Sequence, residues 1–246
     1  MSLAGSLFYA FANLLHPRML WLMVWPMLLS LALWVTLAAV LWARTARALA
    51  DWLQNALLFV RFDLGEAAMV AAHVALFLVF VPLVYLTALF ILSVFGIDKM
   101  IDHVARRSFP GLERRHGGGV AGSVTNAVVS LLGIAGLALA SVPLWFFPPL
   151  WPLIPVAVLG WANQRLLRYD ALAEHASAEE RSVLFRQLRG RLYLLGVLFA
   201  LAAYVPVLGL FAPVVFGLAF IHYLLGALRE HRGADAVSPS LERSPQ

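Results

Sequence analysis

The chain has 246 residues, 62% of them hydrophobic and 13% charged, with a mean hydropathy of +0.85 and a formal net charge of +5. That balance excludes most soluble-enzyme readings and describes an integral membrane protein. The basic excess consists of arginines flanking apolar runs rather than a nucleic-acid surface. The absence of cysteine excludes disulfides, iron–sulfur clusters and thiolate zinc sites.

Residues 3–15 read as an interfacial helix, because Leu3, Leu7, Phe11, Leu14 and Leu15 fall on one helical face. Such a helix can lie in the headgroup plane, and Pro17 ends it. The first spanning helix is expected over 19–43, with Pro26 inside it. In 44–66, Trp52, Leu53, Ala56, Leu57 and Val60 have helical spacing and predict a short amphipathic helix on the outer surface.

The second span is expected over 67–97. Ile97, Met100, Ile101 and Val104 continue its period, so one helix is predicted to run on as a cytoplasmic extension to about residue 107. Phe109–Pro110–Gly111 breaks it. Gly117, Gly119 and Gly122 match G-x-G-x-x-G, but no strand precedes them, so this is not a dinucleotide site.

The remaining apolar sequence forms two proline-broken hairpins, 124–162 and 191–228. The first has arms at 124–142 and 156–164; the second has arms at 191–204 and 214–228. Several arms are shorter than a bilayer requires. Each pair is either a tight spanning hairpin or a re-entrant one, and the short arms favour the re-entrant form. Between them, Ser177-x-x-Glu180 is a capping box that restarts a helix. Residues 1–232 thus read as a single membrane domain and 233–246 as a disordered tail.

Fifteen of the 18 Lys/Arg residues fall on one side of this arrangement. The bias toward positive cytoplasmic loops places both termini in the cytoplasm and 44–66 outside. The same arginines meet the anionic headgroups of the bilayer. Scarce lysine beside abundant arginine suggests a GC-rich bacterial gene.

Phe8–Trp34, Trp161–Asp170 and Val205–Pro213 together resemble the CysZ-type sulfate permeases and the related etoposide-induced-protein domain. The resemblance covers most of residues 3–230. It implies an all-α integral membrane protein with two long tilted transmembrane helices plus two hemi-penetrating helical hairpins. It further implies a homo-oligomer in the inner membrane that passes sulfate inward. The family's Pro-Gly-Leu-Arg-like turn stands here as Pro17-Arg18-Met19-Leu20, and an asparagine typical of the first long helix stands as Ser30.

An anion path needs donors and positive potential, which helix N-termini inside a membrane supply. Arg18, beside such a terminus, is either a headgroup anchor or part of an anion site. Asn163, Gln164, Tyr169 and Asp170 crowd a hairpin exit with Arg165 and Arg168. They form a structural polar network or a cytoplasmic vestibule. Arg18, Ser30, Asn163 and Arg165 are therefore the expected anion-binding residues. His73 and His222 read as neutral, hydrogen-bonded histidines, and Asp98 and Asp102 as a solvated ionic face. No nucleophile, metal or cofactor motif is visible, so no enzyme, metal or cofactor is expected. The expected function is a permease or channel for a small inorganic anion, sulfate first. The alternative is a non-transporting scaffold or assembly factor, whose small residues Gly133, Gly136, Gly196 and Gly217 permit close helix packing.

Overall fold

The computed structural model describes residues 2–56 and 65–242. Leu57 and Val60 of the expected surface helix lie outside the described residues, as do 243–246. All regular elements among the described residues are helical, and four helices are long and apolar enough to cross a membrane. The contacts group the chain into two compact units, residues 1–19 with 97–246 and residues 20–96, where the sequence reads as one membrane domain.

Helix α1 (Leu3–Leu14) is capped by Ser2, whose hydroxyl accepts the Gly5 N–H at 3.1 Å. Its buried residues are Ser6, Ala10 and Asn13, while Phe8, Phe11 and Leu15 point outward. A helix that turns its small and polar stripe inward and its aromatics outward suits an apolar surround rather than water. Helix α2 (Pro17–Ala56) opens on a proline at its first position, where no backbone donor is needed.

The unit of residues 20–96 pairs most of α2 with α3 (Gly65–Phe95). The expected break after residue 43 is absent. Residues 44–56 carry no proline or glycine, so α2 continues as one 40-residue helix, about 60 Å long. Side-chain bonds join the pair: Ser30 Oγ donates to the Val84 carbonyl at 2.6 Å, and Trp34 Nε1 donates to Thr87 Oγ1 at 2.9 Å. Near the far end, Ala50, Ala68 and Ala72 form a small core with Leu49, Leu53 and Met69 around it. Most other large side chains of the pair are exposed.

In the other unit, α4 (Ile97–Ser108) is a separate helix. This corrects the expectation of one helix from 67 to about 107. Gly96 interrupts it, and α4 carries Asp98 in its first turn and Arg106 and Arg107 in its last, each complementing the helix dipole. Its buried face is Met100, Ile101, Val104 and Ala105.

Helices α5 (Val120–Ala140) and α6 (Leu153–Ala173) form the first hairpin, with arms longer than expected. Only 141–152 is left as the tip, built of two 3-10 turns. Pro155 joins the first turn of α6, where proline costs no hydrogen bond. The capping box is present: Ser177 Oγ accepts the Glu180 N–H at 3.2 Å and Glu180 returns the bond at 2.8 Å, starting α7 (Ala178–Gln187).

Helices α8 (Arg189–Ala202) and α9 (Pro206–Glu242) form the second hairpin. Pro206 starts α9 and Pro213 is carried inside it, which corrects the expected break through 213. The helix continues into the stretch read as tail. Its middle is buried on every side, from Val214 through Leu228, against α1, α4, α6 and α8. An apolar helix of this kind is the core of its unit.

Candidate anion site

The turn between α1 and α2 gathers positive charge by local geometry. His16 N–H bonds back to the Asn13 carbonyl at 3.0 Å, and Met19 N–H to that of His16 at 2.8 Å. His16 Nδ1 accepts the Arg18 N–H at 3.3 Å, so the imidazole caps the start of α2. This leaves the Arg18 side chain exposed beside a helix N-terminus.

Helix α4 faces this turn. His103 Nε2 donates to Asn13 Oδ1 at 3.4 Å, and its ring meets His16 edge-on with centroids 5.0 Å apart. Burial first, and then His16, Arg107 and Arg18, hold the His103 imidazole below its ordinary value. No carboxylate is among the charges acting on it. His103 is therefore neutral near pH 7.

A sequence model of the family described as "Sulfate transporter CysZ/Etoposide-induced protein 2.4" matches residues 6–213. The chain belongs to that family. The match includes most of α1, the turn with Arg18, α2 to α8 and the start of α9. With its four span-length apolar helices, this CysZ/etoposide-induced-protein family member is a multi-pass membrane protein of sulfate-transporter type. Comparison with curated proteins and with solved structures gives no match.

The four residues singled out in the sequence fall in different settings. Ser30 belongs to the α2–α3 pair and spends its hydroxyl on Val84. Asn163 and Arg165 share α6: Asn163 Nδ2 donates to the Gly196 carbonyl at 3.3 Å, and the Arg165 guanidinium lies 5.6 Å from the Trp161 ring centre. No hydrogen bond, ion pair or ring contact among the described residues joins either to Arg18. His16, His103 and Arg107 were missed because the pairing of α4 with the α1–α2 turn spans almost 90 residues of sequence. The one local signal was a histidine immediately before Pro17.

The polar crowd at the end of α6 acts mainly as ties between helices. Ser123 Oγ donates to Asp170 Oδ1 at 3.0 Å, and Asn126 Nδ2 to the Arg165 carbonyl at 3.2 Å. The Arg181 guanidinium stacks on Tyr169, 4.7 Å from the ring centre. Burial raises the Asp170 carboxyl, with Asp98 adding to the rise and the Ser123 bond opposing it.

The glycine run is a packing device. Gly117 N–H bonds the Ala176 carbonyl at 3.1 Å and Gly118 N–H that of Ala173 at 2.9 Å. A side chain at Gly117 would begin 2.3 Å from the Ala176 oxygen. Of the other histidines weighed, His73 Nδ1 donates to the Met69 carbonyl at 2.8 Å, and His222 Nδ1 is 3.2 Å from Ser6 Oγ.

Proposed function

We propose that the protein is a permease or channel for a small inorganic anion, sulfate first, in a bacterial inner membrane, with the anion met at the α1–α2 turn. The observation that carries this reading is the cluster of Arg18, His16, His103 and Arg107 at the N-terminus of α2. It offers a fixed charge and oriented backbone donors without burying an unpaired arginine. Membership in a family of sulfate-transporter type supports the choice of anion.

The apolar hairpin tip supports membrane penetration by the first hairpin. Its two indole donors are satisfied internally, Trp145 on Ser141 Oγ at 3.1 Å and Trp151 on the Trp145 carbonyl at 2.8 Å. Phe146 and Phe147 are exposed there, so the tip meets hydrocarbon without orphaned side-chain donors. The long, exposed faces of α2 and α3 suit lipid or a second copy of the chain.

The test is uptake of labelled sulfate into liposomes containing the purified protein, with chloride and phosphate as competitors. Saturable, sulfate-selective uptake is expected. Arg18→Ala should lower it by about ten- to a hundredfold, the worth of one charge-assisted hydrogen bond, with insertion unchanged. Undiminished uptake by that variant removes Arg18 from the path. No flux of any anion from folded, inserted protein favours the scaffold reading.

A further inference from the structure

A groove of about 460 Å³ runs along the first hairpin beside α8. Its size falls within the range of about 300–1,000 Å³ typical of small-molecule sites. Leu137, Leu144, Ile154 and Ala157 line its length, and Trp161 and Tyr193 stand at one end. Tyr193 OH donates across it to the Ala157 carbonyl at 3.4 Å. The lining is almost wholly apolar, and its Ser141 and Tyr193 hydroxyls are spent on backbone carbonyls, so the groove does not suit a bare inorganic anion.

Beyond the two aromatics the surface turns cationic on both helices. One turn past Trp161 on α6 comes Arg165 and then Arg168; one turn before Tyr193 on α8 comes Arg189. Arg165 lies over Trp161 itself, and its Nε is buried with no hydrogen-bond partner. Arg168 rests on the Phe185 ring, 4.7 Å from its centre. None of the three is in an ion pair among the described residues. Arg165 and Arg189 are close enough to act on the Arg168 charge, and no carboxylate acts with them. Three arginines of one sign at this end of the groove, one of them with a buried Nε lacking a partner, favour an anion there. An aliphatic slot continuous with a cationic mouth has the shape of an amphiphile.

We propose that this groove holds one anionic phospholipid per chain, an acyl chain along Leu137, Ile154 and Ala157 and the phosphate on Arg165, Arg168 and Arg189. The lipid fills the void left along α5, α6 and α8, restoring the contacts its lining residues lack. The site is separate from the Arg18 turn, so this inference stands or falls independently of the transport reading.

The test is native mass spectrometry of the delipidated full chain after incubation with equal amounts of phosphatidylglycerol and phosphatidylcholine. Wild type should retain one phosphatidylglycerol. Each arginine at an anionic surface contributes about a fivefold factor, so the preference should be roughly a hundredfold. Arg165→Gln with Arg168→Gln and Arg189→Gln should abolish that preference. Ala157→Phe, at an exposed position inside the groove, should expel lipid while leaving the arginines in place. If the triple variant fails to fold, the Ala157→Phe result decides. Millimolar inorganic phosphate should leave the lipid bound. Equal retention of both lipids by wild type, full retention by Ala157→Phe, or displacement by phosphate would each overturn the proposal.

Discussion

Gly196→Leu is expected to destabilise the helical unit built around α9 by about 3 kcal/mol, at the upper end of overpacking costs. A Cβ at Gly196 would lie 2.1 Å from the Gly160 carbonyl oxygen and 3.1 Å from the Gln164 backbone nitrogen. The reverse contact is also close, since a Cβ at Gly160 would meet Val197 Cγ2 at 2.6 Å and the Val197 backbone at 3.2 Å. Helices α6 and α8 thus touch backbone to backbone, and no rotamer at 196 avoids the clash. Forcing them apart also stretches the bond from Asn163 to the Gly196 carbonyl. Small residues at such crossings are what let membrane helices gain dispersion energy, since lipid leaves little hydrophobic drive between them. Gly136 provides the control: nothing lies within 4 Å of a Cβ there. Gly136→Leu should leave the thermal midpoint of the detergent-solubilised protein within about 0.5 kcal/mol equivalent of wild type. Equal midpoints for the two variants would remove the α6–α8 contact as a source of stability.

Those two glycines also show how far the sequence could be read. Both sat in apolar runs and both read as small residues that permit close approach; only the fold separates the one at a crossing from the one on an open surface. Helical content, span-length runs and the Ser177 capping box are local properties and were legible, as was the family. The division of 67–107 at Gly96 was not, because the apolar run reaches Phe95 and Ile97, Met100, Ile101 and Val104 take up a helical period immediately after the glycine. Periodicity reports which residues share a face, not where one helix stops and the next begins. The prolines misled in the opposite direction. Pro155 and Pro213 read as breaks, yet the first sits in an opening turn and the second inside α9. At the candidate site, Arg18 was visible from its place before a spanning helix. Its neighbours His103 and Arg107 were not, since no local pattern announces a contact across so long a stretch of chain.

Arg232→Ala should cost about 3 kcal/mol near neutral pH, and the loss should fade as the solution is acidified. Arg232 reaches Glu180 Oε1 at 2.8 Å and Oε2 at 3.0 Å, the Glu113 carbonyl at 2.9 Å and the His175 carbonyl at 2.7 Å. Its side chain is 16% exposed and that of Glu180 11%, so solvent screens the pair little. Removing one partner of such a pair strands the other charge, at about 3–5 kcal/mol. The lower figure applies because Arg115 stays on Glu180 at 3.0 Å.

The Arg232 bond is the largest cause holding the Glu180 carboxyl down to about 2, ahead of the Ser177 backbone bond and Arg115, with burial opposing. A depressed carboxylate contributes stability that is full above its unfolded value near 4.5 and lost as pH falls toward 2. His175 shifts in the same direction for a different reason. Burial first, then Arg114 and Arg232 among others, hold its imidazole down to about 4, with Asp102 opposing. Between pH 6.5 and 4 the unfolded chain therefore binds the proton that folded His175 refuses, and stability falls with pH across that window. Acid should weaken the wild type in two successive steps, His175 before Glu180. The first step persists in the variant, because burial is its main cause. The second is largely missing, because Glu180 no longer has Arg232 to lose. Melting midpoints of both proteins from pH 7 to pH 3 should accordingly converge below about pH 4.5. A gap that stays constant over that range would place the Arg232 contribution on its carbonyl contacts rather than on Glu180.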